Sequence, residues 1–82
     1  MITWKRLEAG VYQLYDNGIP QNYYAVKEAY ETEKGNMRLF DWTDCMMYEG
    51  RLVGNGIVSA STLRSAKTSI EHIYEREKAM KK

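Results

Sequence analysis

After Gly56 the chain contains neither glycine nor proline. Before it, Gly10, Asp16-Asn17-Gly18, Gly35-Asn36, Gly50 and Gly54-Asn55-Gly56 mark turns at short intervals. This change in punctuation divides the sequence into a part suited to short strands and a part suited to one long helix. In the second part Leu63, Ala66, Ile70, Ile73, Tyr74 and Glu77 recur at steps of three and four, the spacing of one helix face. The spacing predicts a helix over residues 59–79. Ser59 is the expected N-cap, because Val58 before it and Leu63 in the first turn form a hydrophobic staple; Ser61 is the competing cap.

In the first part, residues 3–7 and 11–15 are brief, aromatic-rich runs. Residues 37–43 alternate Met37, Leu39 and Asp41 against Arg38, Phe40 and Trp42, as strands do. Residues 22–34 admit two readings. As a strand they place Tyr24, Val26, Glu28, Tyr30 and Thr32 on one face; as a helix, Asn22 caps them and Val26, Ala29 and Tyr30 turn inward. The strand is preferred, because Glu33-Lys34-Gly35-Asn36 would fold it back on residues 37–43 as a hairpin. The expected fold is α+β: a small antiparallel sheet of three to four strands packed against one long C-terminal helix, in a single domain over residues 1–82. A chain of 82 residues buries only about 60% of its unfolded surface, so a partner or a second copy would add stability.

Composition excludes several classes. With 44% hydrophobic and 28% charged residues the chain is expected to fold. Residues 1–10 lack the apolar stretch of a signal peptide, and no apolar run approaches the ~20 residues of a membrane helix. Cys45 is the only cysteine, which rules out an internal disulfide framework and fits a reducing, cytoplasmic setting.

Chemistry-bearing residues are sparse. Cys45 has no histidine or basic cluster near it in sequence to activate its thiol, and it reads as a small apolar residue within Cys45-Met46-Met47-Tyr48. His72, the only histidine, falls opposite the apolar stripe, and Glu71 and Glu75 make a poor ligand set beside it. Asp41 and Asp44, three apart on a strand, point to opposite faces and read as turn and solvating groups rather than an acid–base pair. Gly54-Asn55-Gly56 lacks the rest of a phosphate loop or dinucleotide fingerprint and reads as a tight turn. No metal, cofactor or catalytic residue is expected.

Seven tyrosines stand above background. A sheet covered on one face by a helix should leave several of Tyr12, Tyr15, Tyr23, Tyr24, Tyr30 and Tyr48 accessible, and tyrosine suits protein interfaces. Nucleic acid is the rival partner, through Arg64, Lys67, Lys78 and Lys82 along one flank of the helix. Charge is split: residues 1–58 carry six Lys/Arg against eight Asp/Glu (−2), and residues 59–82 carry six against three (+3). The sheet part thus opposes phosphate contact, and a lysine-rich helix end is also what the helix dipole favours.

In the order of Gly10-Val11-Tyr12, Tyr23-Tyr24-Ala25-Val26, Leu39-Phe40-Asp41-Trp42 and Thr62-Leu63-Arg64-Ser65-Ala66-Lys67, the chain resembles small phage and mobile-element proteins. Double-stranded-RNA-binding-like and integrase arm-binding domains share that sheet-then-helix outline. The sequence lacks their basic loop and Lys-Lys-rich helix start, and no functional residue carries over. The resemblance implies a module that covers a site on a host protein. The expectation is a non-enzymatic protein-binding module of phage-inhibitor type, directed at a host defence or nucleic-acid enzyme. Weak nucleic-acid binding is the alternative, and an enzyme comes third.

Overall fold

A computed structural model describes residues 1–31 and 38–80, with side chains over 1–28 and 41–80. Five strands, β1 (Ile2–Glu8), β2 (Val11–Asp16), β3 (Ile19–Glu31), β4 (Arg38–Tyr48) and β5 (Arg51–Ala60), precede one helix, α1 (Leu63–Met80). Each strand pairs antiparallel with the next, giving the sheet order β1-β2-β3-β4-β5. The α+β class and the sheet-then-helix order agree with the sequence; the strand count is five rather than three or four. Residues 22–31 are strand, not helix, and the turn expected at Glu33-Lys34-Gly35-Asn36 lies outside the described residues.

Two turns explain how the strands reverse so tightly. Asn17-Gly18 and Glu49-Gly50 are two-residue loops with φ values of 53° and 81°, and of 50° and 80°. Such left-handed pairs match the twist of the strands they join, and glycine at the second position adopts them without a steric penalty.

The strand missing from the sequence reading is β5. Its Gly54-Asn55-Gly56 does not end a strand but sits inside one, at a wide bulge: Thr43 pairs with Ser59, yet Cys45 pairs with Gly54. Ser59 and Ala60 belong to this strand, opposite Thr43 and Trp42, and the Ser59 hydroxyl donates to Asp41 at 3.1 Å. Neither Ser59 nor Ser61 therefore caps the helix. Thr62 does, its Oγ1 accepting the Ser65 N–H at 3.2 Å.

The core lies between sheet and helix. Ala66, Ile70 and Tyr74 of α1 are buried against Leu14, Ala25 and Val58, with Leu63 and Ile73 packed at the margin. The predicted stripe thus faces the sheet. A smaller cluster of Val11, Tyr24 and Cys45 is buried with Val26 packed against it. Strand alternation puts it on the opposite sheet face, since Tyr24 and Cys45 pair beside the core residue Ala25 and its partner Asp44.

The helix is also held by polar contacts. Asp16 accepts hydrogen bonds from the Tyr74 hydroxyl and from the Lys78 ammonium at 2.9 Å. These two donors, Tyr74 first, lower its carboxyl from 3.8 to about 2. A carboxyl with a depressed folded value stabilises the fold above the unfolded value and stops doing so as pH falls through the folded one. The contribution of Asp16 is therefore complete above 3.8 and lost toward about 2. Melting midpoints measured from pH 6 to pH 2 should fall more steeply for the native chain than for Asp16→Asn; parallel curves would refute the assignment.

Candidate functional site

Asp44 organises the bulge. Its Oδ1 accepts the N–H groups of Ile57 at 3.1 Å and Val58 at 2.9 Å, groups that the interrupted ladder leaves without strand partners. The carboxylate is buried (4% exposed). Its role is to hold an irregular backbone in place, where the sequence suggested a solvating turn residue. One result is that Val58 turns into the core while its neighbour Ile57 is 67% exposed.

Beyond the bulge the β4–β5 hairpin runs out as a tongue. Met47, Tyr48, Leu52 and Val53 are all exposed there, Tyr48 at 57%, and Ile57 is exposed at the bulge from which the tongue springs. Met46 pairs with Val53 and Met47 with Leu52, and adjacent strand residues point to opposite faces. The tongue is therefore apolar on both sides. Asn22 fixes its root: the side-chain amide accepts the Met47 N–H at 2.6 Å and donates to the Met47 carbonyl at 3.2 Å, extending the β3–β4 pairing past Tyr24 and Cys45.

Between the bulge, the start of β3 and the second half of α1 lies a cleft of 310 Å³. Asn22, Tyr23, Asp44, Met46, Ile57, Ile73 and Glu77 are among its walls. Tyr23 donates its hydroxyl to Glu77 Oε1 at 2.7 Å and packs edge-on against Tyr74 at 5.2 Å. Burial, then the Glu77 carboxylate, pushes its phenol up to about 12.

The six tyrosines singled out from sequence do not share one surface. Tyr12 sits beneath the first half of α1, edge-on to Trp42 at 5.8 Å, and Tyr23 beneath the second half. Tyr24 is buried in the opposite-face cluster, its oxygen accepting from Gln13 at 3.0 Å. Tyr15 is half-buried, with the Lys5 ammonium 5.9 Å from its ring centre. Tyr48 stands exposed on the tongue, and Tyr30 lies in β3 opposite Leu39 with its side chain outside the described residues. The basic flank is similarly divided. Lys67 lies over the rings of Tyr12 at 4.9 Å and Trp4 at 6.0 Å, Lys78 is paired with Asp16, and Arg64 is exposed. Lys82 lies outside the described residues.

No family model, characterised protein or solved structure matches this chain. The site is therefore read from its own chemistry. Among the described residues no group of three or more His, Cys, Asp and Glu is placed to hold a metal, and no helix is long and apolar enough to cross a membrane. Cys45 is buried, and burial raises its thiol above the ordinary range, which lowers its thiolate fraction. His72 is exposed on α1.

The tongue is the feature that sequence reasoning missed. Its signal was present in Met47, Tyr48, Leu52 and Val53 flanking Glu49-Gly50. Taking Gly54-Asn55-Gly56 as a turn left too few residues there for a strand.

Proposed function

We propose that this chain is a non-enzymatic protein-binding module acting in the cytoplasm, of the kind that phage-type inhibitors use to cover a site on a host defence or nucleic-acid enzyme. The observation that carries this reading is the β4–β5 tongue. It gathers Met47, Tyr48, Leu52 and Val53 in exposed positions, with Ile57 exposed at its root, a concentration typical of the anchors of protein interfaces. Tyr48 is the member of the sequence-derived tyrosine set that belongs to this patch. Tyr12, Tyr23 and Tyr24 pack within the fold and lie outside that patch.

The two sheet edges differ in a way that favours the same end. The outer strand β1 carries Lys5, Arg6 and Glu8, whereas β5 carries only Arg51 among its ten residues. Charged edges discourage strand addition, and bare ones permit it. Nucleic-acid binding has less to draw on, because Lys67 and Lys78 already have partners.

Capture from host lysate followed by mass spectrometry, at about 50 and 200 mM salt, tests both readings. The native chain should retain the same partner at both salts, and Tyr48→Ala should weaken it by about 2 kcal/mol, roughly 30-fold, as loss of an interface hot spot does. Retention of nucleic acid instead, weakened many-fold at the higher salt and abolished by Arg64→Glu with Lys67→Glu, would give the alternative first place.

A further inference from the structure

The cleft beside the tongue has an unbalanced chemistry. Asp44 is only 4% exposed, and both N–H groups it accepts go to Oδ1. Oδ2 has no hydrogen-bond partner among the described residues. Since no enclosed side-chain polar atom among the described residues is left without a partner, this oxygen is not sealed off, and Asp44 is one of the walls of the cleft. Glu77, on the wall of the same cleft, gives Oε1 to Tyr23, and its Oε2 has no hydrogen-bond partner among the described residues. The described walls hold no lysine or arginine. Two carboxylates therefore line a space with no cation; of its other walls Met46, Ile57 and Ile73 are apolar, and Asn22, Asn55 and Tyr23 are polar.

We infer that the cleft is a socket for one arginine side chain of the partner protein. The inference rests on the protein-binding reading and names what that partner brings. A cation on an aliphatic stem suits this lining, with methylenes to set against Met46, Ile57 and Ile73 and a charged head to meet the carboxylates. A neutral apolar side chain would leave Asp44 Oδ2 buried without a partner, and an acidic one would add like charge. Arginine suits the pair better than lysine, because its planar fork carries five donors and sheds water more readily than an ammonium. Size agrees: 310 Å³ is at the bottom of the ~300–1,000 Å³ range of ligand sites, room for one side chain.

The test uses N-acetyl-arginine N-methylamide and its citrulline counterpart, which has nearly the same shape without the charge. Each is titrated into isotope-labelled protein, following the backbone amide signals of Asn55, Ile57 and Val58. The arginine compound should shift these signals saturably, with the citrulline compound at least tenfold weaker. Glu77→Gln keeps an acceptor for Tyr23 and should weaken the arginine compound at least threefold while leaving the citrulline compound unchanged. Equal responses to both compounds, or none to either, would overturn the socket. If the socket fails while Tyr48→Ala still releases the lysate partner, the protein-binding reading stands alone; if the arginine compound binds as expected but Tyr48→Ala releases nothing, it is the tongue that has been misread.

Discussion

Ile70→Ala is expected to destabilise the protein by about 2–5 kcal/mol, the usual cost of truncating a fully buried aliphatic side chain. Ile70 is 1% exposed and sits with Leu14 and Ala25 at the centre of the helix–sheet core. A domain of this length has a total stability of only about 4–12 kcal/mol at the usual 0.05–0.15 per residue. The substitution therefore removes a large share of it. Urea unfolding should show a lower midpoint with little change in slope. A change below about half a kcal/mol would mean that the stripe on α1 does not pack on the sheet.

Asp44→Ala should have an effect of similar size for a different reason. It removes the acceptor of the Ile57 and Val58 N–H groups, and hydrogen bonds to a charged group contribute about 1.5–3 kcal/mol each. Ile57 is exposed and its N–H regains water, whereas Val58 is buried. The expected loss is therefore nearer about 2–4 kcal/mol than the sum of both bonds. Asp44→Asn keeps an oxygen acceptor and should lose less. Amide hydrogen exchange gives the local readout: Ile57 and Val58 should lose protection in Asp44→Ala before the rest of the sheet does. Unchanged protection at both amides would show that the bulge holds its shape without the carboxylate.

How far the sequence disclosed this fold depended on whether its signals were local. The three- and four-residue spacing of Ala66, Ile70 and Tyr74 needs no tertiary information, and those residues are the buried ones of α1. Residues 22–31 were only partly legible: Tyr23-Tyr24-Ala25-Val26 tilts toward sheet, but Asn22 as a cap with Val26, Ala29 and Tyr30 turned inward kept a helix open. β5 was not legible, because what makes Gly54-Asn55-Gly56 a bulge rather than a turn is a carboxylate ten residues earlier on the neighbouring strand. The helix start was missed for a related reason: Ser59 is as good a cap as Thr62 by residue type, but its pairing with Thr43 holds it in the sheet. The tyrosine count raised the expectation of a binding surface without saying where on the fold the rings would lie. Strand alternation put Tyr23 and Tyr24 on opposite faces, and the ring buried more deeply is Tyr24, on the face that the helix does not cover.

Because every strand pairs with its immediate predecessor, the sheet can assemble hairpin by hairpin from contacts close in sequence, a topology associated with fast folding. The helix is the exception, since it follows all five strands. As a ribosome delivers the chain, Trp4, Tyr12, Leu14 and Trp42 must wait, uncovered, until α1 emerges. Synthesis thus passes through a stage in which a nearly finished sheet presents its aromatic face to the cell, and a chain interrupted before Leu63 would remain at that stage, in the state most open to aggregation or to capture by a chaperone.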